Sequence, residues 1–176
     1  MTHDSVLSSF SGAAVLDTTP IVIRSILDRA TDEELAWRPE DGRWSIAMVL
    51  AHMADVEANG FQGRFRALAS TDDPFLRIYD QHALFAAGAH FDGRKSLEAF
   101  ETQREETIDL LRSLPPAVME RHGRHEELGQ RISFGELLHE LAFHDLGHIR
   151  QIAELYRSRA FYPRMGAFRN YYQIHP

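Results

Sequence analysis

The 176-residue chain contains no cysteine and a single lysine, Lys95. The missing thiols exclude a disulfide framework, thiolate metal sites, iron–sulfur clusters and a cysteine nucleophile. Cationic charge is also short: 19 basic residues stand against 26 acidic ones, a net charge of −7. That balance argues against nonspecific binding to DNA or RNA and against an anionic membrane surface. No run approaches the roughly 18 apolar residues of a spanning helix. The opening Met1-Thr2-His3-Asp4-Ser5 lacks the basic and apolar regions of a signal peptide, so the expected location is the cytoplasm. Strand-like alternation is scarce as well, whereas i, i+3, i+4 spacing recurs, which predicts an all-α protein.

Four amphipathic segments carry that expectation. The first runs from about Pro20 to Ala30, with Thr19 as N-cap and Pro20 at the first helical position; Val6 to Leu16 extends it or adds a turn. The second runs from Ser45, its N-cap, to about Ala69, with Ile46, Val49, Leu50, Met53 and Val56 on one face. A long crossover, Phe75 to Arg94, follows, with a short helix expected near His82 to Ala87. The third helix spans Ser96 to Leu114 and stops at Pro115-Pro116. After a turn-rich loop, Arg121 to Gln130, the box Ser133-Phe134-Gly135-Glu136 opens a fourth helix that reaches about Arg159. Residues 161–176 form an aromatic tail expected to dock on the body. The whole reads as one domain, a four-helix bundle with a long crossover connection.

Ten histidines are the chemical resource that remains. His144 and His148 are four residues apart, so about 400° of helical rotation places them about 40° from each other on one face. Leu141, Ile152 and Leu155 put that face on the apolar stripe, pointing the pair inward. Two buried imidazoles each need a partner, and one divalent metal satisfies both. His52, at the margin of the second helix's stripe, is the natural third ligand. Three histidines plus water would complete a catalytic tetrahedral set. The competing reading is a metal-free core in which each imidazole is hydrogen-bonded separately. His139 lies about 140° from His144 and points away. His122 and His125 fall in a polar loop. His82 and His90, in the crossover, stay open as supporting groups.

Two charged residues occupy apolar positions. Arg104 sits mid-stripe on the third helix, either in a salt bridge with a core acid such as Glu57 or as the anchor for a substrate carboxylate. Glu57, on the inner side of the second helix, is a candidate acceptor for a histidine N–H. Asp55 reads as solvated, and Asp80 as a candidate for shaping the substrate pocket. His144-Asp145-Leu146-Gly147-His148 has the histidine spacing of a zincin, but an aspartate in place of its glutamate makes that general-base role doubtful. A single Glu136-x-x-His139 does not meet the requirement of a di-iron bundle.

Trp44-Ser45-Ile46-Ala47-Met48-Val49-Leu50-Ala51-His52-Met53-Ala54-Asp55-Val56-Glu57 resembles the second-helix signature of the DinB-like superfamily, and His144 to Ile152 resembles its last-helix signature. The Pro74 to Gln81 crossover and the Arg121 to Gly129 loop are similar too. The resemblance implies an up-down-down-up four-helix bundle, often a homodimer. It implies one divalent metal, commonly zinc or nickel, on His52, His144 and His148. Characterised members it points to are thiol-dependent S-transferases using bacillithiol or mycothiol, and a maleylpyruvate isomerase. Together with the three-histidine reading, the expectation is a small-molecule substrate and a metal-dependent enzyme of the thiol S-transferase or hydrolase type, the former with a low-molecular-weight thiol cosubstrate. The other possibility it leaves is a noncatalytic, metal-binding dimer linked to stress. Met48 departs from the family, whose members often place a glutamate there to complete the Ser45 capping box.

Overall fold

The computed structural model describes residues 4–85 and 90–176. A short α1 (Val6–Ser9) leads into α2 (Ala13–Leu27), and α3 (Asp32–Ala36) is a single capped turn. The second long helix is α4 (Ile46–Val56), a π-helical segment (Glu57–Gln62) and α5 (Gly63–Ser70) in continuous succession. The crossover contains β1 (Phe75–Leu76) and α6 (Gln81–Leu84), and then α7 (Gly93–Ser113) begins. A hairpin of β2 (His122–His125) and β3 (Gln130–Ser133) precedes α8 (Phe134–Tyr156). The helices α2, α4–α5, α7 and α8 form a four-helix bundle, and the crossover lets the second and third run parallel in an up-down-down-up order.

Local chemistry sets the helix starts. Ser133 Oγ accepts from Glu136 N at 3.1 Å, and Glu136 Oε2 accepts from Ser133 N at 2.6 Å, so the capping box closes. Ser45 Oγ accepts from Met48 N at 3.2 Å, but the thioether of Met48 gives nothing back.

The first helix differs from expectation. Thr19 is not its N-cap; its hydroxyl donates to Val15 O at 2.7 Å inside the helix, and Pro20 lies in the interior. Interior proline is disfavoured because it has no N–H for the carbonyl four residues back, here that of Leu16. A buried side chain from α7 supplies the missing donor, as described below. The expected helix from His82 to Ala87 is the shorter α6; Ala86 and Ala87 lie outside the described residues.

The loop expected from Arg121 to Gln130 is largely a hairpin, joined by β1 into a three-stranded sheet. β1 pairs parallel to β2 (Phe75 with Arg124, Leu76 with His125), and β2 pairs antiparallel to β3 (His122 with Ser133, His125 with Gln130). The alternation turns Gly123 and His125 inward. A Cβ on Gly123 would stand 2.8 Å from the carbonyl oxygen of Pro74 and 3.0 Å from Leu68 Cδ2. Backbone cannot yield as a side chain does, so Gly123→Ala is expected to destabilise by about 1–3 kcal/mol, read as a lower urea midpoint.

The tail folds back through polar contacts: Arg157 Nη2 donates to Gln173 O at 3.1 Å, and His175 N donates to Glu154 Oε1 at 2.8 Å. Of its aromatics, Tyr162 is half-buried and Phe161, Phe168, Tyr171 and Tyr172 are exposed.

The apolar interior falls into two clusters. One gathers Leu16, Phe61, Phe65, Ile108, Phe134 and Leu141; the other gathers Ile23, Leu50, Met53, Phe100, Ile152 and Leu155. Along three bundle helices, a buried charged residue separates the clusters: Glu57 between Met53 and Phe61, Arg104 between Phe100 and Ile108, and Asp145 between Leu141 and Ile152. Among the described residues, no helix is long and apolar enough to cross a membrane.

Candidate metal centre

α4 contributes His52 and α8 contributes His144 and His148. Their ligand nitrogens all lie within 4.8 Å of one another. His144 Nε2 is 3.3 Å from His52 Nε2 and 3.1 Å from His148 Nε2. His52 is buried, and the other two are half-buried. Phe61 packs edge-on to His144, and Trp44 and Tyr79 lie beside His52, with ring centroids 5.1 and 6.1 Å away.

The proton count suits a cation. Gln151 Oε1 lies 2.9 Å from His148 Nδ1, so that nitrogen donates and Nε2 keeps a bare lone pair. His144 Nε2 carries at most one proton yet faces two nitrogens. If it donates to His148, His52 meets an N–H already engaged; if it carries no proton, two lone pairs oppose each other at 3.1 Å. A divalent ion among the three lone pairs removes the conflict, and neutral imidazole is the ligand form it requires. His52 Nδ1 is buried with no hydrogen-bond partner among the described residues.

Burial keeps the imidazoles neutral. It lowers His52 to about 4, with help from His148 and against Asp55. It lowers His144 to about 3, with help from His148, His52 and Arg104. It lowers His148 too, against the acceptor Gln151 and the charge of Asp145. Unfolded histidine titrates near 6.5, so below that pH the unfolded chain takes up protons that the fold refuses. The chelated protein is therefore expected to hold this stability above pH 6.5 and lose it as pH falls towards 4. Urea midpoints across that range should fall less steeply in His52→Gln than in the parent chain.

The other candidates are placed differently. Arg104, 2% exposed, donates from Nε and Nη2 to Glu57 at 2.7 and 2.8 Å, and from Nη1 and Nη2 to Asp145 at 2.6 and 2.8 Å. Its remaining Nη1–H reaches Leu16 O at 3.1 Å, the carbonyl that Pro20 cannot serve. All five guanidinium N–H groups are engaged, so none is left to anchor a substrate carboxylate. Burial pulls Arg104 down, but bonding to Asp145 and the charge of Glu57 outweigh it and raise the pKa above its ordinary value. Glu57 spends both oxygens on Arg104, and among the described residues no histidine donates to it.

Asp80 caps α6, accepting from His82 N at 2.9 Å, and stands outside the histidine cluster. Asp55 is half-buried, not solvated: it accepts from Tyr79 Oη at 2.5 Å and from Asn59 Nδ2 at 2.8 Å. Asp55, Tyr79 and Asp80 line one cleft of about 470 Å³, and Asp55, Lys95 and Gln103 line another of about 700 Å³. His125 is buried on β2, and its Nδ1 accepts from Leu128 N at 3.3 Å.

The sequence marks Asp145 only by its place between the two histidines, where a zincin carries glutamate. Its inward place was nevertheless encoded, because it follows Leu141 by four residues on the apolar stripe. Gln151 carried a similar cue, one turn beyond His148. Tyr79 had no comparable signal, since an irregular crossover delivers it.

The family model of the DinB superfamily matches residues 16–152. YfiT of Bacillus subtilis is 27% identical over 145 residues, 81% of each chain. OB0782 of Oceanobacillus iheyensis is 26% identical over 143 residues, 80% of this chain and 81% of its own. The solved structure of YfiT superposes with a TM-score of 0.73, covering 82% of this chain and 83% of YfiT. That structure is described as a probable metal-dependent hydrolase with an unusual four-helix bundle topology, and OB0782 is likewise named for metal-dependent hydrolysis.

Proposed function

This chain belongs to the DinB superfamily, and from that premise we propose that it is a metal-dependent hydrolase in which His52, His144 and His148 hold one divalent ion, zinc or nickel. The observation that carries the reading is the convergence of three neutral imidazoles whose protons cannot satisfy one another. It acts on a small molecule, as a cytoplasmic homodimer that does not bind nucleic acid. The ion supplies Lewis acidity, which acidifies water or a thiol and polarises a substrate oxygen.

The chain's own residues do the rest. Gln151 holds the His148 ring in the tautomer that frees Nε2. Trp44, Phe61 and Tyr79 wall the imidazoles and keep bulk water from their flanks. Burial and the neighbouring Asp55 carboxylate raise the Tyr79 hydroxyl above its ordinary value, so it stays protonated and fastens the crossover to α4. Asp55 and Asp80 give an acidic lining to the cleft that Tyr79 also lines, the Tyr79 ring lying 6.1 Å from that of His52, and this lining suits a substrate with a polar or cationic portion.

The test is a hydrolysis screen on untagged protein whose metal content has been measured. Turnover should disappear on chelation, return with zinc or nickel, and place ¹⁸O from labelled water in the product. Incorporation of an added low-molecular-weight thiol in place of water would instead establish an S-transferase. Stoichiometric metal with neither reaction would leave a noncatalytic metal-binding bundle, and the absence of metal would refute the centre itself.

A further inference from the structure

Arg104 lies outside the metal centre but joins both elements that build it. Glu57 begins the π-helical segment five residues after His52 on the same continuous helix. Asp145 is the immediate neighbour of His144 and lies three residues before His148. The guanidinium is bidentate to each carboxylate, so the fork fixes both distance and twist between the two helices; an ammonium, a point charge, would fix neither. The fifth N–H, on Leu16 O, ties in α2 at the one carbonyl that interior Pro20 leaves without its helical donor. Phe100 stacks beneath the guanidinium, 5.2 Å from ring centroid to Cζ. The three charged side chains are all 1–2% exposed, so solvent does not compete for these bonds.

We propose that Arg104 is a positioning residue of the metal centre: its five-donor node sets α4 against α8 so that His52 Nε2 converges with those of His144 and His148. The inference rests on the metal reading above and adds what holds the geometry. Acceptors that orient ligands typically govern metal affinity about 10–100-fold, and Arg104 acts one step further out, on the helices themselves.

The experiment uses cobalt(II) as probe on the full chain, and compares the parent with Arg104→Gln, Arg104→Lys and an apolar triple variant, Glu57→Leu/Arg104→Met/Asp145→Leu. The visible ligand-field spectrum reports coordination geometry, a competition titration reports affinity, and thermal unfolding of the chelated proteins reports the fold. The parent should bind one cobalt; failure there would refute the metal reading and not the role of Arg104. Arg104→Gln and the triple variant should bind roughly 10-fold more weakly or worse, with altered spectra. Arg104→Lys should recover thermal stability more than it recovers the spectrum. The triple variant matters most, because replacing a buried ionic cluster by packed apolar groups is often neutral or stabilising. A triple variant that is as stable as the parent but spectrally altered separates positioning from mere support. Parental spectrum and affinity within twofold, in that variant or in Arg104→Gln, would overturn the proposal. Should Arg104→Gln fail to fold, the triple variant carries the same comparison.

Discussion

Arg104→Met is expected to lower the unfolding free energy of the metal-free protein by about 3–5 kcal/mol at neutral pH, the usual result of breaking a buried ion cluster on one side. The parent node holds two carboxylates and one guanidinium, a net charge of −1, at 1–2% exposure. Without the arginine, two carboxylates remain in the apolar interior with no cation between them. Like charges in one site raise the pKa of one member, so in the variant one acid takes up a proton. The sign follows: a carboxyl raised in the fold destabilises most at high pH, and the variant's deficit should shrink as pH falls towards 5. Domains of this class are stable by about 5–15 kcal/mol, so the loss is a large share of the whole. Paired urea titrations of parent and variant with chelator, at pH 7.5 and 5, measure it. An equal deficit at both values would mean that the two acids do not share a charged site.

His144→Ala is the second large effect. It removes the one ring whose Nε2 touches both other Nε2 atoms, so stoichiometric metal should vanish while the chelated fold survives. Metal at about a thousandfold excess over its dissociation constant stabilises a native state by roughly 4 kcal/mol. For a chain of this length that amounts to roughly 8–16 °C in melting temperature. The parent should show that upshift and His144→Ala should not. His139→Ala is the control: its ring packs against Phe10, away from the cluster. An upshift in all three proteins would place the metal elsewhere.

Much of this was legible where local chemistry is strong. The Ser133 box, the His144–His148 face and the misplaced charge of Arg104 each follow from spacing along one helix, and each stands where spacing puts it. The three-histidine cluster needed one more step, a third histidine on a facing stripe. Failures came where a partner far along the chain decides. Pro20 reads locally as a helix start, and a guanidinium 84 residues later serves the carbonyl that it leaves bare inside the helix. The strands are two to four residues long, too short for alternation to register. Glu57 offers two readings from its place on the helix, partner of Arg104 or acceptor for a histidine N–H, and the structure takes the first, with both oxygens on the guanidinium.

The charged layer between the two apolar clusters also bears on how the chain finds its alignment. Apolar side chains interdigitate tolerably in several offsets, so helices lined by leucine, isoleucine and phenylalanine can slide. A slip of one turn, about 5.4 Å, would carry Arg104 away from both acids and set it against the level of Phe61 or Met53. It would also strand the Leu16 carbonyl. Such an offset bundle keeps most of its greasy contacts and loses every bond of the layer at once. Glu57, Arg104 and Asp145 thus act as a latch with one closed position, and misaligned compact states are penalised before any metal arrives.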